Sequence, residues 1–334
     1  MNKKTAQQTS EQILEKNGGK IADKAKLILL EDPALKKLHE PLEFISNRWR
    51  DMTSALMSLS CEAVGGNAED TYDAALALSL INLSFTVWDD AVDNAKVKAF
   101  RPTLYGKFGQ DIAIIVGGVA SAKAFTILNQ TNLPDNKRKA IAEIMWELWS
   151  KMATVEATAL KMRERGTQSS KFKLWKMKAE AIDLAASLKI GAVIGNGSKE
   201  QIEHLCTYGK NLALILALTL DYQVSINLTL ELAEKIRSNR LPYSVLWGSE
   251  HSPSCRSELI RLRSRQDATA EDINRFINAF LDSGIVRHLS KKVHNCKKKC
   301  DFELSFITGK KASRSLKALI DAHCQIFNDR LKVG

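Results

Sequence analysis

The chain has 334 residues, 45% of them hydrophobic and 26% charged, with six prolines, six scattered cysteines and 7% aromatics, which excludes a disordered chain or a disulfide scaffold and suffices for one large core. Lysine and arginine outnumber the acids 49 to 38, for a formal net charge of +11, a balance suited to phosphate-bearing partners. The basic runs at 161–166 and 291–300 carry no nucleic-acid motif, so they read as solvated helical faces and nucleic acid is not an expected partner.

In chain order, the polar opening to Lys20 lacks the apolar core of a secretory signal, and Thr9 with Gln12 has the form of a capping box. A loop is expected over 64–70, rich in Gly, Asn and acids, and then a helix apolar nearly all round from Ala75 to Trp88. The longest apolar run, IAIIVGGVASA after Asp111, falls short of the roughly 20 residues that cross a bilayer, so a cytoplasmic protein with reduced thiols is expected. Gly117-Gly118 within it reads as close helix packing, since no strand precedes it to make a phosphate loop. Further loops are expected at 132–137, 196–199 and 248–254. Capping boxes begin at Ser198 with Gln201 and at Thr269 with Asp272, Leu212 to Leu220 is again apolar, and Gly284 should end the Thr269 helix. The sum is an all-α bundle of roughly ten helices in a single domain over 1–334, without a linker or repeat.

At 84–95 the chain reads SFTVWDDAVDNA, three acids directly after an apolar helix. Residues four apart share a helix face, so Asp89 and Asp93 project together with Asp90 a quarter turn away. Magnesium prefers one or two carboxylates completed by water and substrate phosphate oxygens; the plainer reading is an exposed helix end whose acids meet water. His294, Cys296 and Cys300 lack zinc-finger spacing, and His204 and His323 have no ligand partner in sequence.

AVGGNAEDTYDAALALSLINLSFTVWDDAVD, then RPTLYGKFGQDIAIIVGGVASAKAF, then residues 187–222 and NRLPYSVL after them, resemble the polyprenyl synthetase family of trans-isoprenyl diphosphate synthases over about residues 45–245. The resemblance implies an isoprenoid-synthase helical bundle around a deep apolar pocket, working with Mg²⁺ on a prenyl diphosphate, and a homodimer. It implies metal binding by Asp89 and Asp93, supported by Asp90, with Asp221 on a facing helix; Ser225, one turn on, is a further candidate because Asp221, Ser225 and Thr229 match the class I terpene synthase spacing at two of three positions. It implies diphosphate binding by Arg48 and Arg50, for which Lys178 and Arg240 are further candidates near the family's later binding segments, and the pocket candidates are Phe85, Trp88, Asn82 and Tyr222.

The sequence also departs from that pattern. LDYQV at 220–224 keeps only Asp221 of a second acid motif, Asn47 and Asp51 replace a lysine and a proline beside Arg48 and Arg50, and Asn82 stands where the family has histidine. Lys98-Ala99-Phe100 replaces an Arg-Arg-Gly, Lys178 is one residue out of register, and Ser238 replaces a lysine. Fewer charge-assisted contacts to a second diphosphate follow. The sequence-level expectation is therefore a class I terpene synthase-like enzyme that ionises an allylic diphosphate and cyclises or rearranges the cation. The alternatives are a prenyl diphosphate synthase condensing that substrate with isopentenyl diphosphate, and a non-catalytic regulatory subunit. The net positive charge also allows peripheral association with an anionic membrane, although no amphipathic anchor stands out.

Overall fold

A computed structural model describes residues 3–46, 52–98, 101–164, 169–226, 232, 235, 236, 240–265 and 269–331. It is built of helices: α1 (Lys3–Leu30), α2 (His39–Ser46), α3 (Thr53–Ala63), α4 (Tyr72–Val92), α5 (Leu104–Gln130), α6 (Asp135–Glu164) and α7 (Ser170–Glu180). There follow α8 (Ile182–Ile194), α9 (Lys199–Ile226), α10 (Tyr243–His251), α11 (Pro253–Ser264), α12 (Ala270–Asp282), α13 (Ile285–Leu304) and α14 (Lys310–Leu331). The strands among the described residues are β1 (Val97–Lys98) and β2 (Arg101–Pro102), paired antiparallel between α4 and α5 with Lys98 opposite Arg101. The all-α expectation holds.

The apolar interior falls into two clusters, one built on α4, α5 and α6 and the other on α9 and α12 to α14. Helix α8 joins them. Its Leu184, Leu188 and Ala192 enter one cluster while Ala186, Ile190 and Ile194 enter the other, two stripes on opposite faces at a spacing of four. A helix used on both sides has to be apolar all round, which IDLAASLKIGAVI is. Helix α4 is also central, with every residue from Ala74 to Ile81 buried.

Two glycines fix how α5 passes α4. Gly109 adopts φ +85°, ψ 176° and breaks the helical path, a conformation essentially reserved for glycine. Gly117 lies under Trp88, where a Cβ would come within 2.2 Å of the indole nitrogen. Close packing there is as the sequence suggested. By length and composition both α4 and α5 suffice to cross a membrane, contrary to the expectation drawn from the run after Asp111; two thirds of the α4 span is buried inside the bundle.

The capping boxes at Ser198 and Gln201, and at Thr269 and Asp272, both form, and Gly284, at φ +82°, separates α12 from α13. Thr9 lies within α1 and not at its start. The expected loop at 248–254 is instead the near-junction of two helices: α10 continues to His251, and Ser252 caps α11 with Pro253 at its first position, where proline's missing N–H costs nothing.

Candidate active site

Helix α4 ends because Asn94 turns left-handed, at φ 50°, and the N–H of Ala95 closes on the Asp90 carbonyl at 2.8 Å, an αL termination that asparagine tolerates. The chain then doubles back through the β1–β2 hairpin. Thr103 anchors it, donating to the Ala95 carbonyl at 2.6 Å and capping α5 by accepting from Gly106 N. This return sets Lys98 over the acids, with Nζ 3.3 Å from Asp89 and 3.1 Å from Asp90.

The three acids differ in setting. Asp89 lines the rim of a cavity of about 1030 Å³ and its side chain is 37% exposed. Burial pushes its carboxyl up, but the charges of Lys98 and Lys176 outweigh that and hold it below the ordinary value. Asp90 is turned inward at 7% exposure, and burial raises it despite Lys98. Asp93 faces a smaller adjoining niche of about 70 Å³, where Arg163 donates to it at 2.8 Å and Arg240 sits 3.8 Å from its other oxygen and donates to its carbonyl.

That niche is strongly cationic. Besides Arg163 and Arg240 it is lined by Lys173 and Lys176 of α7 and by Lys235. Helix α7 is positioned for this by its start, where Ser169 caps Phe172 N and the N–H of Ser170 donates to Glu250 of α10 at 2.7 Å. Lys176 bridges Glu156 and Glu180, whose charges with that of Asp89 raise its pKa against the effect of burial. Lys173 is lowered by burial and by neighbouring Lys176. Cations gathered beside carboxylates at the mouth of a cavity suit a diphosphate arriving with a divalent metal.

Below the rim the cavity is mostly apolar. Phe85 and Trp88 of α4 each meet Trp149 of α6 edge-on, at 4.7 and 5.0 Å between ring centres. Asn82 lines the wall and donates to Thr53 of α3 at 3.2 Å. Phe85, Trp88 and Asn82 thus line the same cavity as Asp89.

Other expected residues lie elsewhere. Tyr222 is fully buried against Phe280, 6.4 Å away, as a core residue rather than a cavity wall. Lys178 points into a separate cavity of about 430 Å³ with Lys151 and Lys210, because the face of α7 turned to the acids is that of Lys173 and Lys176. Both oxygens of Asp221 accept backbone N–H groups at the start of α10, from Tyr243 at 2.6 Å and Ser244 at 2.8 Å. Since Pro242 precedes that helix without a side-chain cap, Asp221 supplies the missing acceptor. Ser225 is fully buried, bonded to Ser244 and to the Asp221 carbonyl, which leaves its hydroxyl no outlet to the cavity. Arg48 and Arg50 lie outside the described residues.

Among the described residues no three acids, histidines or cysteines converge on one metal position. The donor set nevertheless suits Mg²⁺: Asp89 and Asp93 are hard oxygen ligands with 37% and 30% of their side chains open, and this ion takes one or two carboxylates and fills its remaining positions with water and phosphate.

The polyprenyl synthetase family model matches residues 36–278. The chain is 29% identical over 170 residues to the short chain isoprenyl diphosphate synthase of Methanothermobacter thermautotrophicus, covering 50% of this chain and 52% of that one. It is 26% identical over 223 residues to geranylgeranyl pyrophosphate synthase 11 of Arabidopsis thaliana, covering 62% of each. It thus spans about half to three fifths of these relatives. In fold it resembles the crystal structure of geranylgeranyl pyrophosphate synthetase from Pyrococcus horikoshii, with a TM-score of 0.81 at 20% identity over 96% of this chain and 98% of that one.

Proposed function

The chain belongs to the polyprenyl synthetase family, and from that premise we propose that it is a Mg²⁺-dependent prenyltransferase, a prenyl diphosphate synthase that joins an allylic diphosphate to isopentenyl diphosphate. The observation that carries this reading is the placing, at the end of α4, of Asp89 on an apolar cavity of about 1030 Å³ and of Asp93 on a niche holding Arg163, Lys173, Lys176, Lys235 and Arg240. The sequence departures argued for a lost second diphosphate site. Lys173, Lys176 and Arg163 add diphosphate-binding cations that the sequence reading did not count, and together with the family match they favour transfer over cyclisation.

Bound Mg²⁺ supplies neutralisation of the departing pyrophosphate, and Asp89 and Asp93 would hold it. Arg163, Lys173, Lys176 and Arg240 orient the diphosphate oxygens and take up the charge that develops as the carbon–oxygen bond breaks. Phe85, Trp88 and Trp149 line the cavity and exclude water from the cation. A purely regulatory subunit has little use for the open, lysine-held carboxylate of Asp89. We also infer a homodimer through α5 and α6, supported by exposed Ile115 and Phe125 and by Trp146 at 70% exposure; Trp146→Arg should then halve the mass seen by light scattering, and an unchanged mass would refute that interface.

The test is product analysis with Mg²⁺ and geranyl, farnesyl or geranylgeranyl diphosphate, each with and without isopentenyl diphosphate. Longer diphosphates that require both substrates are expected. Cyclic hydrocarbon alone, unaffected by isopentenyl diphosphate, would instead establish the terpene synthase reading.

A further inference from the structure

The main cavity contains a carboxyl that the proposed transfer does not use. Asp183, second residue of α8, lines the wall with Leu184, Thr53 and Asn82. Its Oδ1 accepts the N–H of Leu184 at 2.6 Å, and no cation pairs with it among the described residues. The charged groups around it are committed elsewhere: Lys98 to Asp89 and Asp90, and Lys176 of α7 to Glu156 and Glu180. Keeping an unpaired carboxyl against an apolar wall is costly, and such groups concentrate where chemistry needs them.

Glu180, which shares Lys176, and Asp183 both line the cavity, on either side of the break at Ala181 between α7 and α8. On α4, Phe85 lies one turn below Asp89, about 6 Å along the axis. Asp89, Phe85 and Asp183 line one cavity, so a prenyl chain that fills it from a diphosphate held at Asp89 is enclosed by the same walls that carry the Asp183 carboxyl.

We propose that Asp183 is a base for a second activity, the elimination of an allylic diphosphate to an acyclic polyene when no acceptor captures the cation. In this step the C1–O bond breaks and its electron pair leaves on pyrophosphate. A C–H bond beside the allyl cation then breaks, its pair becoming a new C=C bond and its proton passing to the Asp183 carboxylate. No oxidant or further reactant is needed. Burial raises the carboxyl to about 6, so at neutral pH it is ionised and more basic than a surface aspartate. The proposal rests on the prenyl diphosphate reading.

The experiment incubates the full chain with Mg²⁺ and geranyl or farnesyl diphosphate at pH 7.5, quantifying pyrophosphate, alcohol and hydrocarbon, beside a parallel incubation containing isopentenyl diphosphate. Asp183→Asn keeps the shape and removes the base, while Asp183→Leu serves as a second variant should the first fold poorly. The expected result is acyclic hydrocarbon from the wild type and at least a tenfold fall in its share of released carbon in the variants, alcohol taking its place. An unchanged hydrocarbon share in a folded variant, or a wild type that elongates but makes no hydrocarbon, overturns the proposal alone. A wild type that neither elongates nor releases pyrophosphate overturns the prenyl diphosphate reading, and this proposal with it.

Discussion

Asp183 should cost the fold stability at neutral pH, by an amount that follows from its setting. Burial lifts the carboxyl from its ordinary 3.8 to about 6, with no cation offsetting it, a displacement corresponding to ~3 kcal/mol. Below pH 3.8 the group is neutral in folded and unfolded chains alike and contributes nothing. Between 3.8 and 6 the unfolded chain ionises while the folded one still holds the proton, so stability falls as pH rises; above 6 the full penalty applies. Because the side chain opens to a cavity that water can enter, about 1–3 kcal/mol is the realistic range. Urea unfolding of wild type and Asp183→Asn at pH 4 and pH 8 reads this directly. The variant should gain that amount at pH 8 relative to its difference at pH 4, and equal differences at the two pH values would refute the reasoning. A gain in stability that accompanies loss of hydrocarbon is the trade expected of a functional group.

Asp89→Ala should lower turnover at least a hundredfold, on the order of what one electrostatic group supplies. Its exposed link to Lys98 is worth about 1 kcal/mol or less, so thermal unfolding should barely move; rapid turnover in the variant would remove the site from α4. Asp221→Ala should cost about 1–2 kcal/mol in denaturant unfolding, because the start of α10 loses the acceptor for two N–H groups. Asp221→Asn, which still accepts, should recover part of it, and an Ala variant as stable as wild type would show that this contact is idle.

How much of this was legible depended on range. The capping boxes at Ser198 and Thr269 are local, three residues from end to end, and both formed. The apolar runs that make α4 and α9 central were equally readable, because a helix without a polar face has nowhere else to go. The face of α7 was not readable. FKLWKMKAE puts Lys173 and Lys176 on one side and Lys178 on another, and only the packing against α6 and α10 decides which side meets the acids. Arg163 was lost for a related reason: within KMRERG it looks like part of a solvated charge run, and its partner Asp93 is 70 residues away. Asp183 resembles the favourable acid in a first helical turn, and nothing local says that the turn opens into a cavity.

The charges at the rim imply an order of binding. Lys98 occupies the position over Asp89 and Asp90 that a divalent ion bound by Asp89 would contest. A metal arriving alone therefore has to displace a lysine, whereas a metal arriving with a diphosphate offers that lysine phosphate oxygens in exchange. Removing the lysine should separate the two cases. Lys98→Met takes away one positive charge within a few ångströms of a doubly charged ion, worth about 1–2 kcal/mol at a solvent-exposed rim. Calorimetry on the apoprotein should then find Mg²⁺ bound roughly tenfold more tightly, while affinity for a non-hydrolysable allylic diphosphate in saturating Mg²⁺ falls. Unchanged or weaker Mg²⁺ binding in a folded Lys98→Met protein would mean that Lys98 does not compete for the metal carboxylates, and the proposed order would fail with it.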